Sequence, residues 1–307
     1  LEKKDPLEIA RFYEDSFHRD IKKLHISPAE VYPRATEHIQ DMIDLVQTLL
    51  DKGIAYEAGG SVYFDLTRFP EYGKLSGNTL EDLIAGKRVE IKEEKRNPFD
   101  FALWIYNPNH LMQWEAPWGK GYPGWHLECS VMSIKYLGET VDIHTGGEDN
   151  KFPHHECEIA QSEAATGKQF VRYWLHIKHL LVNGGKMSKS LGNTYTIADI
   201  EAKGYSLRVL RYFLISGHYR QNLNFTFSAL KAAEKALAKI QNFLETVRKS
   251  DNQYVDLKVL IGKTREEFRD YLNDDLNISG ALAAVFDFMR KINAMTANGM
   301  ISRKNSE

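Results

Sequence analysis

The chain has 307 residues, a formal net charge of −2, and a composition of 43% hydrophobic and 27% charged residues. This length predicts two or more domains, the composition is typical of a soluble globular protein, and the charge argues against indiscriminate binding of nucleic acid. Because no apolar run is long enough to span a bilayer and the N-terminal residues lack the apolar core of a signal peptide, we expect a cytoplasmic protein without a membrane partner.

The first third of the chain predicts two helices followed by a change to strand periodicity. Residues 6–24 have a helical pattern that begins at Pro6, because proline is tolerated in the first turn of a helix. A second helix runs from Thr36 to a stop at Gly53, with apolar residues spaced three and four positions apart. Residues 59–66 then predict a strand that follows a glycine turn.

The middle of the chain predicts short strands, and its last part predicts helices. Residues 85–107 have a pattern typical of short strands, and the prolines and glycines of residues 117–124 indicate an irregular connection. A strand at residues 141–143, a glycine turn and a helix that begins at Pro153 follow. From residue 227 onward the pattern is almost entirely helical and contains one apolar stripe. We assign this stripe to the core: Leu230, Ala233, Leu237, Ile240, Leu244 and Val247.

Residues 201–250 carry a local excess of positive charge. They contain nine Lys or Arg residues against three acidic residues, so the remainder of the chain is correspondingly acidic. A basic surface on a mildly acidic protein suits a polyanion that is placed by electrostatic attraction. The alternative is a solvated helix face without a partner.

Residues 152–160, FPHHECEIA, contain several groups that bind metal ions or transfer protons. In a helix that begins at the proline, His154 and Glu158 lie one turn apart on one face and can close on one metal ion. Cys129 can approach from another element, and cysteine, histidine and glutamate together suit zinc. Cys157 competes with Glu158 for the same ion, and helix geometry alone does not choose between them. The alternative is a hydrogen-bonded histidine cluster beside two buried thiols.

A second group of charged residues lies in GGKMSKSLGN, residues 184–193. Lys186 and Lys189 are flanked by glycines, which predicts a mobile loop that brings ammonium groups to an anion. A triphosphate that loses pyrophosphate needs positive charge where negative charge develops. An exposed loop without such a role is the alternative.

KMSKSLGN resembles the second signature motif of class I aminoacyl-tRNA synthetases. GWHLECS, DIHTGGEDNKFPHHECEIAQSEA and SGHYRQNLNF together resemble the cysteinyl-tRNA synthetase family, and PRATEHI, EYGKLSG and NPFDFALW resemble its connective insertion. The resemblance extends from about residue 6 to about residue 290. It implies an α/β fold: a partial Rossmann-type nucleotide-binding fold of class I synthetases, with a connective insertion and a C-terminal α-helical domain.

In that family, L-cysteine is ligated to tRNA(Cys) at the expense of ATP, used with magnesium, through a cysteinyl-adenylate. One zinc ion holds the thiol of the substrate, and zinc prefers a thiolate to an alcohol, which makes a separate editing site unnecessary. The resemblance implies that Cys129, His154 and Glu158 are the zinc ligands. Cys157 stands where the family mostly has asparagine and is therefore not expected to be a ligand. Trp125 would lie against the bound cysteine, with an ordinary core tryptophan as the alternative.

The resemblance also implies which residues contact the nucleotide. Gly146, Gly147 and Asp149 would line the pocket of the aminoacyl-adenylate, where backbone N–H groups and a carboxylate face the ligand. Lys186 and Lys189 would neutralise the phosphates of ATP during adenylate formation, with Lys189 in direct contact.

Five segments follow from the resemblance. Residues 1–32 would end the first half of the nucleotide-binding fold, residues 33–112 would form the connective insertion, and residues 113–183 would form the second half with the zinc site. Residues 184–226 would contain the KMSKS loop and the stem-contact region, and residues 227–307 an incomplete helical tRNA-binding domain. Five residues are candidates for the tRNA surface: Arg211, Tyr212, His218, Tyr219 and Arg220.

One motif of the family is not found. The 307 residues contain no His-x-Gly-His signature and no zinc-ligand cysteine beside it. We therefore expect three of four zinc ligands and half of the ATP site, and we expect that this polypeptide alone does not aminoacylate tRNA at a useful rate. Two alternatives are a related ligase that couples cysteine to an amino sugar in mycothiol synthesis and a non-catalytic fragment that binds zinc or RNA.

Overall fold

The computed structural model describes residues 4–79, 93–250 and 255–301. The chain divides into two compact units. The first unit comprises Leu1–Ser16 and Pro28–Ile177, and the second comprises Phe17–Ser27 and Lys178–Glu307. Among the helices of the described ranges, none is long and apolar enough to cross a membrane.

The first unit begins with helices and an antiparallel sheet. Helix α1 spans Pro6–Lys23, close to the predicted 6–24, and its residues from Phe17 onward belong to the second unit. Helix α2 spans Ile39–Asp51 after a short 3-10 turn at Ala35–Glu37, so it begins three residues later than predicted. The predicted apolar spacing of α2 places four side chains in the core, Met42, Ile43, Val46 and Leu49. Four strands follow in the order β1-β2-β3-β4. Their bounds are β1 Ala55–Ala58, β2 Ser61–Phe64, β3 Phe101–Ile105 and β4 Tyr122–Pro123.

Two of the four strands were predicted from the sequence, whereas β1 was not predicted and β4 lies in residues 117–124, which were expected to form an irregular connection. Residues 59–66 were expected to form a strand after a turn, and the turn lies at Gly59 and Gly60, whose φ angles are +58° and +80°. Only glycine adopts such angles freely, so the strand begins after them. Of the short strands expected at 85–107, β3 accounts for the second half, and residues 85–92 lie outside the described residues.

The second half of the first unit is a strand–helix–strand arrangement. Helix α3 spans Trp125–Leu137, β5 spans Val141–Gly147, α4 spans His154–Thr166 and β6 spans Val171–Ile177. Strands β5 and β6 are parallel, with Val141 opposite Val171 and Gly147 opposite Ile177. Helix α4 connects them and packs against α3. The carboxyl ends of both strands therefore meet at one edge of the sheet, where nucleotide folds place their ligands.

Helix α4 is buried along most of its length. Nine consecutive residues from His154 to Ser162 are buried, although six of them are polar or charged. The predicted start at Pro153 is off by one residue, because Pro153 is the N-cap and His154 the first helical residue. The strand expected at 141–143 continues to Gly147, so Gly146 and Gly147 end the strand instead of forming a turn after it.

The second unit combines a small sheet with helices. Its sheet has the order β8-β7-β9, with β7 at Leu180–Val182, β8 at Gly185–Lys186 and β9 at Leu223–Phe225. Its further helices are α5 Ile197–Ala202, α6 Leu207–Ser216, α7 Phe227–Lys249, α8 Lys258–Asn273 and α9 Ile278–Ala297. Of the predicted stripe on α7, Leu230, Ala233 and Val247 are buried, whereas Leu244 remains 41% exposed. The prediction that the chain is almost entirely helical from residue 227 onward is thus confirmed within the described residues.

Candidate functional site

Helices α3 and α4 bring three metal-binding side chains together in the first unit. The sulfur of Cys129, a ring nitrogen of His154 and a carboxylate oxygen of Glu158 all lie within 4.8 Å of one another. His154 and Glu158 are one turn apart on α4, with Nε2 of the imidazole 3.0 Å from Oε1 of the carboxylate. Cys129 comes from the facing helix α3. The three residues that the resemblance implied as ligands therefore form one group.

The carboxylate of Glu158 has no hydrogen-bond partner for either oxygen among the described residues. Its side chain is fully buried, and the nearby ring of His154 is close to Oε1 without the alignment of a hydrogen bond. A buried carboxylate without partners is costly unless a cation neutralises it. Burial, together with Glu158 and Glu128, also raises the pKa of Cys129 to about 12, so the thiolate requires a cation. Sulfur, imidazole nitrogen and carboxylate oxygen as donors fit zinc.

His126 fixes the ring of His154 from the side opposite Glu158. The Nδ1 atoms of the two rings are 2.6 Å apart, so one donates and the other accepts a hydrogen bond. Burial and the neighbouring His154 lower the pKa of His126 to about 4, so at neutral pH its Nδ1 can accept the proton of His154. The Nε2 atom of His154 then remains free to bind a metal, as is usual for imidazole ligands. Sequence reasoning assigned no role to His126.

Trp125 covers the same group and remains accessible. Its ring stacks on that of His154, with 4.0 Å between the centroids and an interplanar angle of 27°. Trp125 is 58% exposed. The alternative interpretation, an ordinary core tryptophan, therefore does not apply to it. It is the first residue of α3, where the extended Gly124 turns the chain into the helix.

A second histidine group shares Glu158 with the first. Ring nitrogens of His144 and His155 and an oxygen of Glu158 lie within 4.8 Å of one another, and Nδ1 of His155 is 2.8 Å from Nε2 of His176. Burial lowers the pKa of His155 to about 3, and it also lowers the pKa of His144 and of His176. These rings are therefore neutral at neutral pH. In the sequence, the only indication of this second group is the clustering of histidines between residues 126 and 179.

Cys157 lies elsewhere. Its side chain is 1% exposed and packs in the main core of the first unit, and its sulfur is 3.6 Å from the hydroxyl of Tyr72. Burial raises the pKa of its thiol. The structure thus separates Cys157 from the group of Cys129, His154 and Glu158. Helix geometry alone could not decide whether Cys157 or Glu158 belongs to this group.

Gly146, Gly147 and Asp149 lie at the carboxyl end of β5. A Cβ atom at Gly146 would lie 2.5 Å from the ring of His155, and one at Gly147 would lie 2.6 Å from Oδ1 of Asp149. The buried His155 leaves no room for a side chain at Gly146, whereas the exposed carboxylate of Asp149 could turn away from a side chain at Gly147. Asp149 is exposed in the short 3-10 helix Glu148–Lys151.

The KMSKS loop belongs to the second unit. Gly184 and Gly192 have φ angles of +79° and +63°, and between them Lys186 ends β8 and Lys189 begins a 3-10 turn. The side chain of Asn193 closes the loop: its Oδ1 accepts the N–H of Ser188 at 2.8 Å, and its Nδ2 donates to the carbonyl of Lys186 at 3.0 Å. Both lysines are exposed, which suits contact with an anion.

The basic candidates of the second unit have partners within that unit. Arg211 donates through Nη1 to the carbonyls of Leu24 and His25, at 2.8 and 3.1 Å. Asp275 binds both Tyr219, at 2.5 Å, and the guanidinium of Arg220. Part of the positive charge noted in the sequence therefore stabilises the unit itself.

Known proteins resemble this chain along nearly its whole length. It is 48% identical over 299 residues to a protein named cysteine–tRNA ligase of Thermococcus onnurineus, covering 94% of this chain and 63% of the relative. It is 49% identical over 305 residues to one of Chlorobium chlorochromatii, covering 98% of this chain and 63% of the relative. One of Protochlamydia amoebophila is 48% identical, with 98% and 65% covered. The chain thus spans a little under two thirds of the length of these relatives.

A solved structure supports the same fold. Mycobacterium tuberculosis methionyl-tRNA synthetase in complex with methionyl-adenylate is similar with a TM-score of 0.70 and 17% identity, over 96% of this chain and 72% of that one. This likeness confirms the α/β class I synthetase fold. Residues 267–307 match the family described as DALR domain. Residues 2–235 match the family described as tRNA synthetases class I (C) catalytic domain, and the chain therefore belongs to that family.

Proposed function

We propose that this chain is the cysteine-activating part of an enzyme that ligates L-cysteine to tRNA(Cys). In this reaction ATP, bound with magnesium, is consumed to form a cysteinyl-adenylate, and the cysteinyl group is then transferred to the tRNA. The names of relatives at 48 to 49% identity support the substrate pair. The DALR match in the C-terminal helices favours tRNA as the acceptor over an amino sugar.

One observation carries the amino acid specificity: the buried carboxylate of Glu158, which has no hydrogen-bond partner within the described ranges, faces Cys129 and His154. These three side chains would hold a zinc ion. When bound, zinc supplies a Lewis acid that stabilises a substrate thiolate and discriminates against the alcohol of serine. The same argument accounts for specificity without an editing site, since a missing thiol leaves the site unsatisfied.

The chain's own residues prepare that site. His126 holds the Nδ1 proton of His154, which keeps Nε2 directed toward Glu158. Trp125 covers the imidazole of His154 and presents its exposed face to the substrate, excluding water from one side.

The nucleotide would contact two parts of the chain. The end of β5, with Gly146, Gly147 and Asp149, would line the adenylate pocket, because parallel strands of nucleotide folds bind their ligands at this edge. Lys186 and Lys189 would neutralise the phosphates, with Lys189 in direct contact. Both are exposed on a loop that Asn193 keeps in shape, and such a loop can supply charge to a leaving pyrophosphate.

Cobalt substitution tests the proposal on this chain directly. Cobalt replaces zinc in tetrahedral sites, and each bound thiolate adds a charge-transfer band in the near ultraviolet. We expect about one metal ion per chain, and a further thiolate band when L-cysteine is added but not when L-serine is added. Cys129→Ser and Glu158→Gln should weaken metal binding, whereas the control Cys157→Ala should not. Loss of metal in Cys157→Ala but not in Glu158→Gln would refute the ligand set.

A further inference from the structure

We infer that Glu156 is a positioning residue of the metal site, an inference that rests on the proposed zinc ligands. Glu156 lies on α4 between His154 and Glu158 and is fully buried. Successive helix positions are separated by about 100°, so residues 154 and 158 share a face while residue 156 points away from it. Its carboxylate therefore binds something other than the metal.

That partner is the backbone of the 72–76 loop, which comprises Tyr72, Gly73, Lys74, Leu75 and Ser76. Oε2 of Glu156 accepts the N–H of Gly73 at 3.1 Å, and Oε1 accepts the N–H groups of Leu75 at 2.9 Å and Ser76 at 2.5 Å. Successive backbone N–H groups that converge in this way form an anion-binding concavity. Hydrogen bonds to a charged carboxylate are about twice as strong as neutral ones.

The loop is shaped for this contact by one glycine. Gly73 has a φ angle of +96°, and a Cβ atom there would lie 1.8 Å from the carbonyl oxygen of Asn78. No other residue fits that space, so the loop can present its N–H groups to Glu156 only with glycine at this position.

Two further contacts fasten the 72–76 loop to α4. The hydroxyl of Tyr72 lies 3.6 Å from the sulfur of Cys157, and the ammonium group of Lys74 lies 2.5 Å from a carboxylate oxygen of Glu163. Glu163 also accepts the N–H of Phe170. Glu163 is more than one turn further along the helix than Glu156, which makes it a matched control on the same helix and the same loop.

Glu156 lies in the first turn of α4, which has no side-chain cap. His154 is the first residue of the helix, and the N-cap Pro153 offers no side-chain hydrogen bond to the free N–H groups of the first turn. First turns of helices fray without such a cap. The proposed ligand His154 lies in this turn, so the three hydrogen bonds to Glu156 hold the ligand face of α4 in its orientation toward Cys129.

The test compares two single variants of this chain, Glu156→Gln and Glu163→Gln, with the unmodified chain. Zinc affinity is measured by competition with a chromophoric chelator, and the folded state of each variant by circular dichroism. We expect Glu156→Gln to weaken zinc binding about 10- to 100-fold, the range for residues that orient metal ligands. Glu163→Gln should lower thermal stability without changing the zinc affinity.

Gly73→Ala provides a second variant that alters the loop alone. It should weaken zinc binding in the same direction, because the loop must move away from Glu156. Unchanged zinc affinity in folded Glu156→Gln, or an equal loss in Glu163→Gln, would overturn the role of Glu156 and leave the zinc site intact. Failure of the unmodified chain to bind zinc would instead overturn the proposed ligands, and the role of Glu156 with them.

Discussion

His126 and His154 share a single proton between Nδ1 atoms that are 2.6 Å apart. Only one of the two rings can donate in this pair, and the low pKa of His126 means that its ring is neutral. When Nδ1 of His126 accepts, Nε2 of His154 is the unprotonated nitrogen and is directed toward Glu158. Orientation of this kind usually comes from a carboxylate or a carbonyl, and here an imidazole provides it.

His126→Ala should therefore weaken zinc binding about 10- to 100-fold, because the ring of His154 loses the partner that selects its tautomer. His126→Asn should recover part of the affinity, since its amide oxygen can accept the same proton. The measurement is zinc competition with a chelator. His110→Ala, which removes an exposed imidazole bonded to the carbonyl of Met112, is the control and should bind zinc normally. Equal affinity in His126→Ala and the control would contradict the role of His126.

Asn193→Ala should loosen the KMSKS loop. The variant removes both hydrogen bonds that join Asn193 to Ser188 and Lys186, so the loop opens more often. Limited trypsin digestion followed by mass spectrometry should show faster cleavage after Lys186 and Lys189. Asn242→Ala on the exposed face of α7 should leave the cleavage rate unchanged. The same rate in both variants would show that Asn193 does not hold the loop.

Asp100→Ala should destabilise the first unit strongly. The carboxylate of Asp100 is buried and accepts hydrogen bonds from the hydroxyl of Tyr56 at 2.7 Å and from the N–H of Leu66 at 3.0 Å. Its removal leaves buried donors unsatisfied, at a cost of about 3 kcal/mol in the free energy of unfolding. Urea denaturation measures this change, and Asp51→Asn on the exposed end of α2 is the control. A loss no larger than that of the control would contradict the expectation.

Gly146→Ala should disturb the second histidine group without removing a ligand. The added methyl group would lie 2.5 Å from the ring of His155, so this ring must shift and its hydrogen bond with His176 is disturbed. We expect a loss of about 1 to 3 kcal/mol in stability, as for other additions to packed interiors. Nitrogen-15 spectra of the imidazoles should show an altered His155 signal. Unchanged signals would mean that β5 itself shifts to make room.

Much of the fold could be predicted from the sequence because its helices have ordinary apolar spacing. Helix α1 and the helical region from residue 227 follow directly from that periodicity. The ligand group could be proposed because His154 and Glu158 are one turn apart, a relationship that any helix enforces. Residue spacing alone could not decide whether Glu158 or Cys157 is the metal ligand, because that depends on how α4 packs against α3 and the core.

The roles of Glu156 and His126 could not be predicted for a related reason. Both act through contacts between elements far apart in the sequence. The partners of Glu156 are backbone N–H groups of a loop about 80 residues earlier, which leave no mark in side-chain composition. His126 and His154 approach each other only because α3 and α4 pack together.

The burial of α4 on every side also constrains how this stretch can change over time. A typical surface helix has a solvent face on which substitutions are nearly neutral, whereas residues 154–162 have none. Variation there must be paired with change in a neighbouring element. Cys157 illustrates the exception, because the hydroxyl of Tyr72 beside it could equally donate to the amide oxygen of an asparagine. Among homologous chains, tyrosine at position 72 should therefore accompany either cysteine or asparagine at position 157.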